Sequence, residues 1–207
     1  METEQPLRQS LQIVAFDFDG TLTIRDSYTT FLRSEVGPSG YAIGMVPLAP
    51  EILAYTWRRD RGRLKAAATR QFLGGRRAED VERAAERFAA AVWDQFVRPD
   101  ALACWEDWGR RGAERVIVTA SPALTVRPFA RRLGADRLIG TELETKDDRL
   151  TGAFLTPNCR AEEKVARLRE VYGPSIRLAA AYGDTSGDTA MLGLADHKGW
   201  REFTGRP

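Results

Sequence analysis

Four short apolar runs, separated by helical patterns, constrain the fold of this chain more than any other feature of its sequence. They are rich in β-branched and aromatic residues and cover residues 12–18, 115–121, 136–144 and 176–184. Apolar runs of this length are typical of strands buried on both faces, and such strands alternate with helices in parallel sheets. The sequence therefore predicts an α/β fold, a doubly wound (Rossmann-like) parallel sheet with helices on both faces.

The segment between the first two runs, residues 26–98, shows no convincing strand pattern. Within it, residues 78–97 place a stripe of apolar side chains on one helical face: Val81, Ala85, Phe88, Val92 and Phe96. A mostly helical segment of this length is too long for a simple crossover between strands. We predict that residues 1–25 and 99–207 form the core domain, and that residues 26–98 form a helical cap domain inserted after the first strand.

Charge and composition argue against several classes of protein. The chain has 31 Lys and Arg residues against 29 Asp and Glu, a net charge of +2, whereas nucleic-acid-binding surfaces usually carry a strong basic excess. The first ten residues lack the features of a signal peptide, and the apolar stretch 41–55 is too short to span a bilayer. The spacing of Cys104 and Cys159 favours two reduced thiols. We expect a soluble cytoplasmic protein with no nucleic-acid or membrane partner; no pattern specifies an oligomeric state.

Carboxylates and hydroxyls occur where three of the four predicted strands end. Asp17 and Asp19 end the first, residues 119–121 (Thr-Ala-Ser) end the second, and Asp184 ends the fourth, with Asp188 close behind. Ligands of open parallel sheets bind beyond the carboxyl ends of the strands, so these groups are expected to converge on one site.

Several carboxylates in one site require a counter-charge. At an effective dielectric constant near 20, two carboxylates ~4 Å apart repel each other by about 4 kcal/mol. Oxygen ligands alone favour a hard cation such as Mg²⁺, which we predict as the cofactor. Lys164 is the second candidate counter-charge, although a cation near the start of its predicted helix is disfavoured by the helix dipole.

Such a group of residues suits phosphoryl transfer. A carboxylate beside a divalent cation can attack phosphorus and form an aspartyl-phosphate, while a second carboxyl group protonates the leaving alkoxide. The metal and the lysine would offset the charge on the transferring group.

The motifs in this order resemble those of a known family. The stretches "DFDGTLT", "IVTAS", "NCRAEEKV" with Lys164, and "YGDTSGDTAML" are similar to the four motifs of the haloacid-dehalogenase-like (HAD) superfamily. The helical insertion after the first motif looks like that of subfamily IB, which includes phosphoserine phosphatases. The DxDGT signature followed by the lysine and GDxxxD is highly specific.

The resemblance implies a role for each matching residue. Asp17 would be the nucleophile and Asp19 the general acid and base. Mg²⁺ would be bound by the Asp17 carboxylate, the Asp19 backbone carbonyl and Asp184, with Asp188 supporting the metal or its waters. Lys164 would pair with Asp17 and with the phosphoryl group.

The phosphate-binding segment would be residues 119–121, in which Thr119 is favoured over Ser121 as the hydroxyl donor and Ala120 lies between them. Asp26 matches the position of a substrate-reading acid at the cap hinge. The basic stretch Arg58–Lys65 is interpreted either as a solvated helix face or as a source of arginines that grip an anionic group of the substrate.

These observations favour a Mg²⁺-dependent phosphomonoester hydrolase that acts on a small phosphorylated metabolite. One alternative is a 2-haloacid dehalogenase of the same superfamily, which would attack carbon with a single aspartate and without the metal motif. Another is a phosphate-binding or receiver-like protein that is not an enzyme, although receivers place the phosphorylated aspartate on a middle strand. Phosphoserine, histidinol phosphate, other metabolites and lipid phosphates are all open as substrates.

Overall fold

A five-stranded parallel sheet forms the centre of the protein in a computed structural model, which describes residues 12–58 and 61–207, and only the backbone of residues 58 and 61. The order across the sheet is β3-β2-β1-β6-β7. The strands are β1 (Ile13–Phe16), β2 (Glu114–Pro122), β3 (Arg137–Thr141), β6 (Leu178–Gly183) and β7 (Ala195–Trp200). A separate antiparallel hairpin consists of β4 (Leu143–Lys146) and β5 (Arg149–Phe154). The predicted α/β fold with a parallel sheet is confirmed.

The register of the central strands brings their carboxyl ends to one edge. Phe16, the last residue of β1, pairs with Ile117 of β2 on one side and with Tyr182 of β6 on the other. The residues that follow these three positions therefore leave the sheet together. This alignment places the candidate functional residues of three distant chain segments side by side.

Two features of the sheet differ from the sequence prediction. The edge strand β7 has the sequence ADHKGW, in which the three consecutive polar residues are exposed, so it lacks the apolar run that marks the other strands. The predicted strand 136–144 ends at Thr141, and the chain then enters the β4–β5 hairpin through Leu143. The turn of that hairpin is Asp147-Asp148, both with positive φ, a conformation that Asp tolerates better than most residues.

Helices cover the sheet and form the insertion between β1 and β2. The insertion contains α1 (Ser27–Met45), α2 (Ala49–Arg58), α3 (Arg61–Leu73) and α4 (Ala78–Phe96), which confirms a helical cap. The core contains α5 (Pro99–Arg110), α6 (Ala123–Leu133), α7 (Glu162–Tyr172) and the short α8 (Thr189–Leu192). The domain limits, residues 1–25 with 99–207 and residues 26–98, stay a prediction.

Helix α1 changes direction near its middle. Gly37 has φ of 71°, and Pro38 follows it, so the helix is interrupted there. A residue before proline is disfavoured in helical conformation, and glycine alone adopts positive φ without strain. The second half of α1, from Pro38 to Met45, is thereby redirected across the cap.

An aromatic cluster joins the cap to the core. The ring of Phe129 on α6 lies 5.2 Å from that of Phe18, which follows β1, and 6.1–6.5 Å from three rings of α4: Phe88, Trp93 and Phe96. Phe129 is fully buried. The cap and the core domain therefore share one apolar core at this point. The apolar face of α4 that the sequence predicts packs against α6.

Among the described residues, no helix is both long enough and apolar enough to cross a membrane.

Replacing Phe129 by alanine is expected to lower the free energy of unfolding by about 3–5 kcal/mol, because the cavity would lie where cap and core meet. Urea denaturation measures this change. The control is Val171→Ala on α7, where the side chain is partly exposed and the expected change is within about 0.5 kcal/mol. A loss below about 1 kcal/mol for Phe129→Ala would contradict a shared core.

Candidate active site

Asp17 lies at the end of the central strand, in the position that the sheet register dictates. Its backbone N–H donates to the carbonyl of Tyr182 at 2.9 Å, which extends the pairing between β1 and β6 by one residue. Asp17 is 7% exposed. The strand thus delivers its carboxylate to the floor of a cleft of about 400 Å³ rather than to the surface.

Lys164 crosses from α7 to reach this carboxylate. Its Nζ donates to Asp17 Oδ1 at 2.5 Å and to Asp188 Oδ1 at 2.7 Å. The third hydrogen bond goes to the carbonyl of Val118 on β2, at 2.6 Å. An ammonium group has three N–H donors, so the buried Lys164 is fully satisfied.

Burial and charge act in opposite directions within this group. Burial raises the pKa of Asp17 to about 7, and the neighbouring Lys164 only partly offsets this rise. Burial alone would lower the pKa of Lys164, but its ion pairs with Asp17 and Asp188 outweigh that effect and raise it. The pKa of Asp188 is lowered, because Lys164 and the Thr185 amide overcome the effect of burial. Lys164 is therefore a permanent cation in the site.

Three carboxylates gather close enough to share a cation. Oxygen atoms of Asp17, Asp184 and Asp188 all lie within 4.8 Å of one another. With one lysine against three carboxylates, the cluster keeps an excess of negative charge when its acids are ionised. Its oxygen-only donor set fits Mg²⁺, the cofactor predicted from sequence.

The turn after β1 is built around the approach of Asp184. Gly20 has φ of 88°, and a Cβ at this position would lie 2.4 Å from Asp184 Oδ2. Only glycine permits both the backbone conformation and this contact. Thr21 on the same turn donates its hydroxyl to Asp184 Oδ1 at 3.5 Å. The glycine and threonine of the DxDGT signature thus place Asp184 against the strand that carries Asp17.

Asp19 faces the cap rather than the carboxylate cluster. Its Oδ1 accepts a hydrogen bond from the backbone N–H of Ser27, at the start of α1, at 2.7 Å. Its Oδ2 accepts from the hydroxyl of Ser121. Burial and the nearby Asp26 carboxylate raise the pKa of Asp19. A fixed carboxyl group that readily holds a proton is suited to acid–base chemistry.

The end of β2 supplies the opposite wall of the cleft. Thr119 and Ala120 line it, and the Thr119 hydroxyl oxygen accepts a hydrogen bond from the Ser121 N–H at 3.0 Å. Ser121 is directed to Asp19 instead. The hydroxyl of Ser121 is thus engaged by Asp19, whereas Thr119, the hydroxyl that the sequence analysis favoured, lines the same cleft as Asp17.

Asp26 and Lys65 bring the cap to the cleft. Asp26 caps α1, its Oδ1 accepting from the Thr29 N–H at 2.6 Å, and it also lines the cleft. Lys65 of α3 lines the cleft too, and its Nζ donates to the carbonyl of Ala120 at 3.1 Å. The sequence analysis noted Lys65 only as the last residue of a basic stretch and assigned it no role.

Further polar residues of the cleft were not anticipated: Arg25, Arg98, Asn158 and Arg160. No spacing pattern marks the first two. Asn158 and Arg160 lie shortly before Lys164 in the sequence, and this closeness to the lysine motif could have marked them as residues of the site.

The alternative in which arginines 58–63 reach the cleft falls largely outside the described residues. This holds for Arg59 and for the side chains of Arg58 and Arg61. Arg63 is described and exposed. Of the described side chains in this stretch, Lys65 lines the cleft.

Comparison with known proteins gives consistent matches over most of the chain. The family model described as haloacid dehalogenase-like hydrolase matches residues 14–193. The protein CicA of Caulobacter vibrioides is 56% identical over 196 residues, which cover 94% of this chain and 88% of CicA. A phosphoserine phosphatase of Halobacterium salinarum is 30% identical over 191 residues, 89% of this chain and 83% of that protein.

A solved structure has the same fold. The crystal structure of a protein of unknown function from Bordetella pertussis Tohama I superposes with a TM-score of 0.73 at 20% identity. The match covers 89% of this chain and 86% of that one.

We expect Mg²⁺ to raise the melting temperature more at about pH 8 than at about pH 6, because metal ligands must be deprotonated. The raised pKa of Asp17, about 7, means that its ionisation lowers stability of the metal-free protein as pH rises from 3.8 through 7. A cation at a hundredfold excess over its Kd would add about 2.7 kcal/mol. Thermal unfolding with and without Mg²⁺ measures the shift.

The matched variants for this experiment are Asp184→Asn in the cluster and Asp196→Asn on the exposed edge strand β7. The first is expected to abolish the Mg²⁺ shift and the second to preserve it. An equal shift in both variants, or none in the unaltered protein, would refute a metal site at this cluster.

Proposed function

The chain belongs to the haloacid dehalogenase-like hydrolase family, and from this premise we propose that it is a Mg²⁺-dependent phosphomonoester hydrolase that forms an aspartyl-phosphate on Asp17. The observation that carries the proposal is the pairing of a buried carboxylate with a buried lysine, beside a second carboxyl group held separately. The name of the Halobacterium salinarum relative, a phosphoserine phosphatase, supports phosphate ester hydrolysis as the reaction class.

In the first half of the reaction, an oxygen of Asp17 attacks phosphorus and forms a P–O bond as the bond to the ester oxygen breaks. Asp19 gives its proton to the departing oxygen, so the leaving group is released as a neutral alcohol. The raised pKa of Asp19 suits this role, since the group must hold a proton while the substrate binds.

In the second half, Asp19, now ionised, takes a proton from a water molecule that attacks the phosphorus. The P–O bond to Asp17 breaks, inorganic phosphate leaves, and both carboxyl groups return to their starting state. The same carboxyl group thus acts as acid and then as base, and its hydrogen bonds to Ser27 and Ser121 hold it in place for both steps.

Other residues hold the phosphoryl group. Lys164 keeps Asp17 oriented through its hydrogen bond and provides positive charge next to the attacked phosphorus. Thr119 lines the same cleft as Asp17, where its hydroxyl can donate to a phosphoryl oxygen. The cleft is also lined by basic side chains that attract a dianionic ester: Arg25, Lys65, Arg98 and Arg160.

Mg²⁺ would be held by Asp17, Asp184 and the Asp19 backbone carbonyl, and when bound it neutralises charge on the transferring group. Asp188 has its carboxylate engaged by Lys164 and by the amides of Asp184 and Thr185. It therefore supports the site by positioning the lysine and the loop that carries Asp184.

Asp17→Asn is expected to lower kcat/KM for phosphate monoesters by at least about 10³-fold, because removal of a covalent nucleophile can lower kcat by as much as about 10⁶-fold. The measurement is phosphate release from 4-nitrophenyl phosphate and a metabolite panel, with Mg²⁺ and with a chelator. The matched control is Asp94→Asn on α4. Asp94 is an exposed carboxylate that does not line the cleft, so this variant should retain full activity.

The same panel tests the alternative reactions. Chloride release from 2-haloacids without Mg²⁺ would instead support a dehalogenase. A stable phosphorylated protein that never turns over would support a receiver-like protein. Turnover that is equal in Asp17→Asn and in the unaltered protein would refute the proposal.

A further inference from the structure

A second cavity, of about 310 Å³, opens beside the cleft and lies inside the cap. We call it the cap pocket. It shares Asp26 and Lys65 with the cleft, so the two spaces meet at these residues. The rest of its described lining is largely apolar, comes from α1, α2 and α3, and includes Tyr28, Leu32, Tyr41, Met45, Tyr55 and Ala68. Its volume lies at the lower end of the range for small-molecule sites.

Two side chains that line the cap pocket are fixed by contacts within the cap. The Tyr28 hydroxyl is hydrogen-bonded to the Thr69 hydroxyl at 2.7 Å within the protein, so its ring serves as an apolar surface. The Tyr41 ring stacks on Phe72, with centroids 5.2 Å apart and planes 9° from parallel. Tyr41 lies on the second half of α1, which the break at Gly37 turns across the cap. The cap pocket is thus formed by the packing of the cap helices.

The position of Asp19 determines which side of the cleft receives the leaving group. The leaving oxygen must lie next to the acid that protonates it. Asp19 is held by Ser27 at the start of α1, and Asp26, which precedes Ser27 in the chain, lines the cleft together with Asp19 and Lys65. Asp26 and Lys65 form the boundary with the cap pocket. An ester group attached to that oxygen therefore extends toward the cap pocket.

A larger cavity of about 830 Å³ also opens onto the cleft. It meets the cleft at Asn158, Arg160 and Thr185, next to the loop that carries Asp184 and Asp188. That is the side of the carboxylate cluster and not of Asp19. The larger cavity also reaches Tyr55 and Gly62 of the cap, and Tyr55 lines the cap pocket as well. The part of the larger cavity that meets the cleft is polar and lies beside the carboxylate cluster, where it is placed for solvent and phosphate exchange.

The two charged groups at the mouth of the cap pocket already have partners. Asp26 accepts the hydrogen bond from the Thr29 N–H, and Lys65 donates to the Ala120 carbonyl while lying 5.9 Å from the centre of the Tyr28 ring. Beyond them, the described lining of the pocket has no charged side chain. A charged group held at the mouth could still pair with Asp26 or Lys65. An ammonium or carboxylate group carried deeper would lose its hydration without meeting a charged partner among the described lining residues.

We propose, on the basis of the function proposed above, that the alcohol portion of the substrate is apolar and occupies the cap pocket. The substrate class is then a phosphate monoester of an alkyl or aryl alcohol, in preference to a short zwitterionic alcohol such as serine, which does not fill the apolar space beyond Asp26 and Lys65. Apolar surface buried in the pocket stabilises the bound ester and its transition state, and the cap residues set the size of the group accepted.

A series of ethyl, butyl and hexyl phosphate tests this inference with the full-length chain and Mg²⁺. Each methylene buried in the pocket is expected to raise kcat/KM about fourfold until the pocket is filled. Butyl phosphate should be a better substrate than phosphoserine. All of this turnover should disappear in Asp17→Asn.

Ala68→Phe fills the cap pocket, and Ala42→Phe makes the same substitution at an exposed position of α1 outside it. The first is expected to lower kcat/KM for hexyl phosphate at least about tenfold while changing that for ethyl phosphate less than about twofold. The second should change neither. If Ala68→Phe does not fold, as circular dichroism would show, Met45→Ala replaces it. That variant enlarges the pocket and should move the optimum to a longer chain.

The outcomes separate the two proposals. A flat response to chain length, or a preference for phosphoserine over butyl phosphate, would overturn the apolar assignment and leave the phosphatase function in place. Equal effects of Ala68→Phe on ethyl and hexyl phosphate would do the same. The absence of Asp17-dependent turnover for every ester would refute the phosphatase function itself.

Discussion

The site depends on one buried interaction, the ammonium group of Lys164 held between Asp17 and Asp188. Both the lysine and its partners are almost completely removed from solvent. Removing one partner from a buried ion pair typically costs about 3–5 kcal/mol, because an unpaired charge is left inside. The same ammonium bonds the carbonyl of Val118, so it also fixes the end of β2 relative to β1. The start of a helix is an unfavourable place for a cation, and these three hydrogen bonds outweigh that disadvantage.

The two aspartates of the DxDGT stretch lie in different environments, because only Asp17 contacts Lys164. Asp17 continues the strand and faces the lysine, whereas the turn at Gly20 brings Asp184 against the strand and Asp19 faces α1 and Ser121. The Asp17 carboxylate lies beside the Lys164 ammonium and the oxygens of two further carboxylates, and the Asp19 carboxyl group lies beside the cap with a raised pKa. The cap therefore contacts the proposed acid–base group, Asp19, directly through Ser27, and the cap pocket opens beside it. The proposed chemistry and the proposed substrate class both depend on this difference between the surroundings of Asp17 and Asp19.

The sequence predicted the features that depend on apolar periodicity and on short motifs. The central strands, the helical insertion and the amphipathic α4 fall in this class, and their signal is local. The edge strand β7 was missed because an edge strand exposed to solvent can be polar, and the hairpin β4–β5 because its turn is Asp-Asp rather than a glycine turn. The contact of Lys65 with Ala120 joins residues 55 positions apart, so no local pattern encodes it. The roles of Asp17, Asp19, Thr119 and Lys164 stay proposals that their geometry supports.

The most direct test of the account is rapid mixing of Asp19→Asn with 4-nitrophenyl phosphate, followed by acid quenching and mass spectrometry of the peptide that contains Asp17. Nitrophenolate leaves without a proton, so Asp17 should still be phosphorylated, whereas the substituted amide cannot activate water for the second step. The account predicts a burst of about one nitrophenolate per protein molecule and a phosphoryl group on Asp17. Steady release without a burst, with Asp17 unmodified, would contradict it.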